Sequence, residues 1–258
     1  KFARVARRAG IPFAVDNTFP TPCLCRPFDY GANIVTHSLS KYADGHACSL
    51  GGIVVDKGDF DYEASGKFPG LTTPDESYHG LVYTKAFGNL AFTAKARAHV
   101  MRDFGMMISP MNAWLTNMNL ETLPLRMQKH SENGMKLAEY LASHPKVEWV
   151  EYPGLPDSPD AKLAKKYLKA CGGVMTFGPK GGRKAAEKLL NSLELAALVI
   201  HVADARTGVL HPASTTHRQL SDGEQRATGI LPELIRVSAG LEHIDDIIAD
   251  FEQALAKI

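Results

Sequence analysis

Three kinds of side chain near the start of this sequence could do chemistry jointly: a carboxylate at Asp16, hydroxyls at Ser38 and Ser40, and an amine at Lys41. A lysine amine is a weak nucleophile while protonated. An apolar pocket or a neighbouring cation lowers its pKa, and it then forms imines with carbonyls. Two serines at alternate positions just before it can both bond a phosphate. A carboxylate can hold a pyridine nitrogen protonated, which a pyridoxal electron sink requires. Taken alone, Ser-x-Ser-Lys is short and often matches by chance, with Asp16 capping a turn and Lys41 solvated. The context reverses that balance, because both groups follow an apolar strand and Gly45-His46 comes next.

Those strands read at 11–15, 31–36 and 51–55. Short, continuous apolar runs suit a parallel sheet buried on both faces by helices. In open α/β sheets ligands bind outside the carboxyl ends of the strands, where Asp16-Asn17-Thr18 and 37–41 fall. A helix over 2–9 precedes them and Gly10 stops it. Residues 56–86 are loop-rich, and a helical pattern resumes over 90–102. A long helix is expected over 119–144, with Pro124 near its start or kinking it and Pro145 closing it. Beyond it the pattern is α+β: strands at 147–150, 173–177, 197–202 and 235–238, and helices at 158–170, 182–193 and 243–257. The expected division is therefore 1–115, part of a larger α/β domain, and 116–258, a smaller α+β domain.

The 258 residues include 29 basic and 28 acidic side chains, for a net charge of +1. That balance gives no reason to expect a nucleic-acid partner or an anionic membrane surface. The longest apolar runs are too short to cross a bilayer. The four cysteines, Cys23, Cys25, Cys48 and Cys171, contain no Cys-x-x-Cys pair, so neither a zinc site nor a disulfide framework is expected and a cytoplasmic location fits.

Val15-Asp16-Asn17-Thr18-Phe19, followed by His37-Ser38-Leu39-Ser40-Lys41-Tyr42 and Gly45-His46, resembles the signature of the cysteine/methionine-metabolism pyridoxal-phosphate-dependent enzymes. Asn119 to Leu123, His211 to His217 and Leu234 to Ser238 follow the same pattern in order. The resemblance implies an aspartate-aminotransferase-type (fold type I) cofactor domain, incomplete at its N-terminus, with a small C-terminal α+β domain after it. It implies pyridoxal 5'-phosphate bound as a Schiff base to Lys41, which would also shuttle protons at the substrate's Cα and Cβ. Asp16 would pair with the pyridine nitrogen, Thr18 would lie against the ring, and Ser38 and Ser40 would bind the phosphate. Arg236 would hold the substrate α-carboxylate through a bidentate pair.

Glu121, the loop Thr73–Gly80 and the run Val202–Thr207 point, within the family, to replacement of the acetoxy group of O-acetylhomoserine by sulfide, giving homocysteine and acetate. A methionine γ-lyase or a cystathionine γ-synthase is the alternative within the family. A non-catalytic fragment or partner subunit is the alternative outside it, and an intact Asp16 and Lys41 argue against that. The family's upstream part, which supplies an aromatic ring stacked on the cofactor and further phosphate contacts, has no counterpart in this sequence. An upstream segment and a symmetric homo-oligomer, a homotetramer, are therefore expected to complete the site.

Other residues carry plainer readings. His201, His211 and His217 do not form a ligand set, and no metal is expected. His211 and His217 are expected to shape the loop before Arg236. His201 departs from the small polar residue usual in the family near the substrate carboxylate. Met101, Met106, Met107, Met111 and Met118 are expected to fill the core.

Overall fold

The computed structural model describes residues 1–258. They form a mixed α/β fold of two compact units. The first comprises Lys1–Thr18, Arg26–Leu39 and Leu50–Trp114; the second comprises Phe19–Cys25, Ser40–Ser49 and Leu115–Ile258. Packing thus differs from a linear division at 115/116, because two short segments of the first 115 residues, one of them carrying Ser40 and Lys41, belong to the second unit.

The first unit is built on strands β1 (Ala14–Asp16), β2 (Ile34–Ser38) and β3 (Gly52–Asp56), in that order across the sheet. β1 and β2 are parallel, with Asp16 opposite Thr36. The expected all-parallel sheet fails at β3, which runs antiparallel to β2 with Ile53 opposite His37. The reason lies in where the chain returns. Leu39 N–H donates to Gly51 O at 2.9 Å, so β3 starts beside the end of β2 and must run back along it. A parallel strand would need a crossover to the other end of the sheet.

Burial of all three strands on both faces is also not observed, since Ile53, Val54 and Val55 are 45%, 50% and 38% exposed. Tyr62, Leu71, Tyr83 and Ala91 make a small core between the following short helices. The methionines are not core: Met106, Met107, Met111 and Met118 are 48–74% exposed. Met111 and Met118 sit in the helix Pro110–Leu120, where Thr116 is the buried residue.

The second unit holds a five-stranded sheet of β4 (Val147–Glu151), β5 (Val174–Pro179), β6 (Ala197–Leu198), β7 (Gly208–Leu210) and β8 (Ile235–Ser238), ordered β4-β5-β8-β7-β6. The helix Leu123–Ser143 packs Leu137, Ala138 and Leu141 against Met175, Phe177, Ile235 and Val237. The closing helix Ile244–Ala256 adds Ile247, Phe251 and Leu255. The expected helix over 119–144 is two helices, broken at Glu121-Thr122. Pro124 then falls in a first turn, where its missing N–H costs no hydrogen bond. The expected strand over 197–202 stops at Leu198. Ala203 adopts φ +67°, a left-handed conformation costing a non-glycine residue about 1 kcal/mol, and Ser238 Oγ accepts from its N–H at 2.8 Å.

Candidate active site

In the first unit, Asp16 ends β1 and Ser38 ends β2. Between them Thr18 forms a relay. Its N–H donates to Asp16 Oδ1 at 2.9 Å, its hydroxyl donates to the same oxygen, and that hydroxyl accepts from Ser38 N–H at 2.8 Å. The Thr18 hydroxyl and then its N–H hold the Asp16 carboxyl below its ordinary value. Asp16 therefore stays ionised while remaining exposed. Burial lowers the neighbouring His37 imidazole, and the Asp16 carboxylate pulls it the other way. The geometry brings Asp16, Thr18 and Ser38 together as one group.

In the second unit, Ser40 and Lys41 lie on a turn of π-helix, Leu39–Ala43, which Lys41 interrupts with φ −100° and ψ −133°. Burial, and after it the Arg236 guanidinium, hold the Lys41 amine below the usual lysine range. Desolvation and a neighbouring cation both act in the direction that makes a lysine more nucleophilic. Arg236 lies on β8, and its Nη2 donates to Ile200 O at 2.8 Å and His201 O at 3.2 Å. His201 faces the same place. Burial first and then Lys41 lower its imidazole, opposed by Asp204 and Asp44, and its Nε2 is buried without a hydrogen-bond partner. His211 fixes the loop before Arg236 through Nε2 to Pro232 O at 2.7 Å and Nδ1 to Ser214 Oγ at 2.8 Å.

Two groups around Lys41 escape a reading of the sequence. Asp44 is fully buried. Its carboxylate accepts from Ser49 Oγ at 2.7 Å, Cys48 N at 3.1 Å, and His46 N and Asn119 Nδ2 at 3.3 Å. Arg126 is also buried, and its guanidinium binds Tyr42 O at 2.6 Å, Ala43 O at 3.3 Å and Asn119 O at 2.7 Å, with Nε to Thr122 Oγ1 at 3.1 Å. The stretch Asn119-Leu120-Glu121-Thr122-Leu123 therefore clasps the Lys41 turn through Asn119 and Thr122, while Glu121 is exposed. A sequence signal did exist. Gly45 precedes His46 at the end of the motif, and a Cβ there would stand 2.3 Å from Arg126 Nη1.

Residues 1–256 match the model of a protein family described as Cys/Met metabolism PLP-dependent enzyme, and the chain belongs to that family. It is 50% identical over 258 residues to a homocysteine synthase of Schizosaccharomyces pombe, covering 99% of this chain and 60% of that protein. It is 47% identical over 266 residues to an O-acetyl-L-homoserine sulfhydrylase of Leptospira meyeri, again covering 99% and 60%. A crystal structure of a candidate O-acetylhomoserine (thiol)-lyase from Campylobacter jejuni, containing N'-pyridoxyl-lysine-5'-monophosphate, superposes with a TM-score of 0.94 at 37% identity. It covers 99% of this chain and 61% of that one. The chain thus spans about 60% of the length of the curated relatives it matches.

Proposed function

We propose that this chain carries the reacting amine, the ring-facing carboxylate and the carboxylate-binding arginine of a pyridoxal-phosphate enzyme that replaces the acetoxy group of O-acetylhomoserine with sulfide. Acetate leaves and homocysteine forms. The observation that carries the reading is Lys41, a half-buried amine held below its usual range beside Arg236, in a chain of this family. The donor set fits the cofactor: an amine for its carbonyl, an ionised carboxylate for its ring nitrogen, and hydroxyls for its phosphate. Pyridoxal phosphate, when bound, supplies an electron sink for charge developing at the substrate Cα.

In this reading residues 1–115 belong to the aspartate-aminotransferase-type cofactor domain and residues 116–258 to the smaller C-terminal domain. Asp16, kept charged by Thr18, holds the ring nitrogen protonated. Thr18 flanks the ring, and Ser38 and Ser40 take the phosphate. Arg236 binds the α-carboxylate, with the plane of its guanidinium fixed by the carbonyls of Ile200 and His201. Lys41 removes a proton at Cα and then one at Cβ; acetate leaves Cγ with its electron pair, sulfide adds at Cγ, and Lys41 returns the protons. The exposed apolar residues of the first unit support assembly into a homo-oligomer. The test is acetate release from O-acetylhomoserine with sulfide, with cysteine and with no acceptor. Release that depends on sulfide and yields homocysteine supports the reading. Release that depends on cysteine, or that gives a keto acid without an acceptor, replaces it with the synthase or lyase reaction.

A further inference from the structure

The backbone on the C-terminal side of Lys41 is tied down residue by residue. Lys41 O accepts from Gly45 N–H at 2.7 Å, and Gly45 O accepts from Ala205 N–H at 2.7 Å. Between them, the carbonyls of Tyr42 and Ala43 are both taken by Arg126. The Tyr42 side chain is anchored as well, its hydroxyl accepting from Gly173 N–H at 3.1 Å and its ring lying 4.9 Å from that of His130. Arg126 is the one member of this set that joins the turn to another element by a side chain with several donors. Its Nη2 and Nε also hold Asn119 O and Thr122 Oγ1, where the helix beginning at Leu123 starts.

We propose that Arg126 is a positioning residue for Lys41. It sets the direction of the amine by fixing the two peptide groups that follow it, without touching the reacting atoms. Three features hold the guanidinium in this one pose. Thr122 Oγ1 takes Nε, Asn119 O takes Nη2, and the absence of a Cβ at Gly45, whose φ is +71°, leaves room for Nη1. Lys41 lies outside helical dihedrals within an otherwise helical turn. If the donors to Tyr42 O and Ala43 O are lost, two buried carbonyls need new partners, and the turn can recover them by relaxing toward regular helix. That rotation swings the Lys41 side chain away. A lysine at position 126 keeps the charge but lacks the planar fork, so it cannot serve both carbonyls and both anchors.

This inference rests on Lys41 being the cofactor-bearing residue, and its test separates the two. Wild-type protein, Arg126→Lys, Arg126→Met and Thr122→Val are each stripped of cofactor and then mixed with pyridoxal phosphate. The rate of linkage to Lys41, the pH midpoint of the absorbance of that linkage and the thermal melting curve are recorded. Arg126→Lys should remain folded yet capture the cofactor roughly tenfold more slowly, in line with the cost of misplacing a reacting group. Its absorbance midpoint should move by about half a pH unit or more. Thr122→Val removes one anchor and keeps the carbonyl bonds, so its effect should have the same sign and be smaller. Should Arg126→Met not fold, Arg126→Lys and Thr122→Val still decide. Folded Arg126→Lys with the wild-type rate and midpoint overturns the proposal for Arg126. A wild-type protein that links no cofactor at Lys41 overturns the reading of Lys41 itself, and this proposal with it.

Discussion

Phe177, Ile235, Val237, Ile247 and Phe251 of the second unit are fully buried, whereas Ile53, Val54, Val55, Phe104, Met106, Met107, Met111 and Trp114 of the first keep 38–76% of their surface in solvent. The same contrast runs through the polar groups. In the second unit Arg126, His130 and Asp250 are buried, and each bonds backbone of a distant segment, while the buried Asp44 is reached by the side chain of Asn119. In the first, Asp16 is held by a residue two positions away. Lys41 therefore stands on a unit with a closed core and a tied backbone. Asp16 stands at a strand end of the three-stranded sheet, whose third strand is largely uncovered. Under the proposed function the reacting amine needs the more exact placement, and Lys41 is on the closed unit.

The contrast is broken most directly at the core. Phe251 is fully buried and meets Phe177 edge to face at 6.1 Å, so Phe251→Ala should cost about 3–5 kcal/mol, read from the urea midpoint. A loss under about 1 kcal/mol would mean that the second unit is less closed than it looks.

A slightly smaller effect comes from His130. Its Nδ1–H donates to Ala239 O at 2.8 Å, and burial lowers its pKa from 6.5 to about 4. As pH falls through 6.5 the unfolded chain takes up this proton while the folded chain does not. Stability from this residue is therefore complete above about pH 6.5 and declines down to about pH 4, by up to about 3 kcal/mol in total. Urea midpoints at pH 7 and 4.5 should fall more for the wild type than for His130→Gln, which cannot titrate. Equal falls would remove His130 from the acid response.

Asp16→Asn sharpens the comparison from the other side. An amide cannot hold a ring nitrogen protonated, so turnover should fall by about 10²-fold or more. Melting should change little, because Asp16 is exposed. A variant that keeps its rate would separate Asp16 from the chemistry. The smallest effect is expected at Phe104, which is 76% exposed. Phe104→Ala should shift stability by no more than about 0.5 kcal/mol, while reducing self-association measured by sedimentation if this surface is covered in an oligomer.

What the sequence disclosed follows the same line. That Asp16 and Ser38 end strands was legible because each closes an apolar run. The contacts of Arg126 and Asp44 were not. Arg126 binds carbonyls 83 and 84 residues away, and a carbonyl has no residue identity to read. The direction of β3 was hidden because an apolar run encodes burial and not polarity of the chain. β7 is three residues long, too short for any period to show. The methionines read as core because composition reports that a residue is apolar and says nothing of whether a neighbour covers it. His211 was legible as a loop-shaping residue, since its loop leads directly to Arg236.

The central claim is that Lys41 carries the cofactor. Reducing the pyridoxal-phosphate-loaded protein with borohydride and mapping the labelled peptide tests it most directly. The account predicts a single pyridoxyl label, on Lys41. A label on any other lysine, or none with the protein folded, would contradict it.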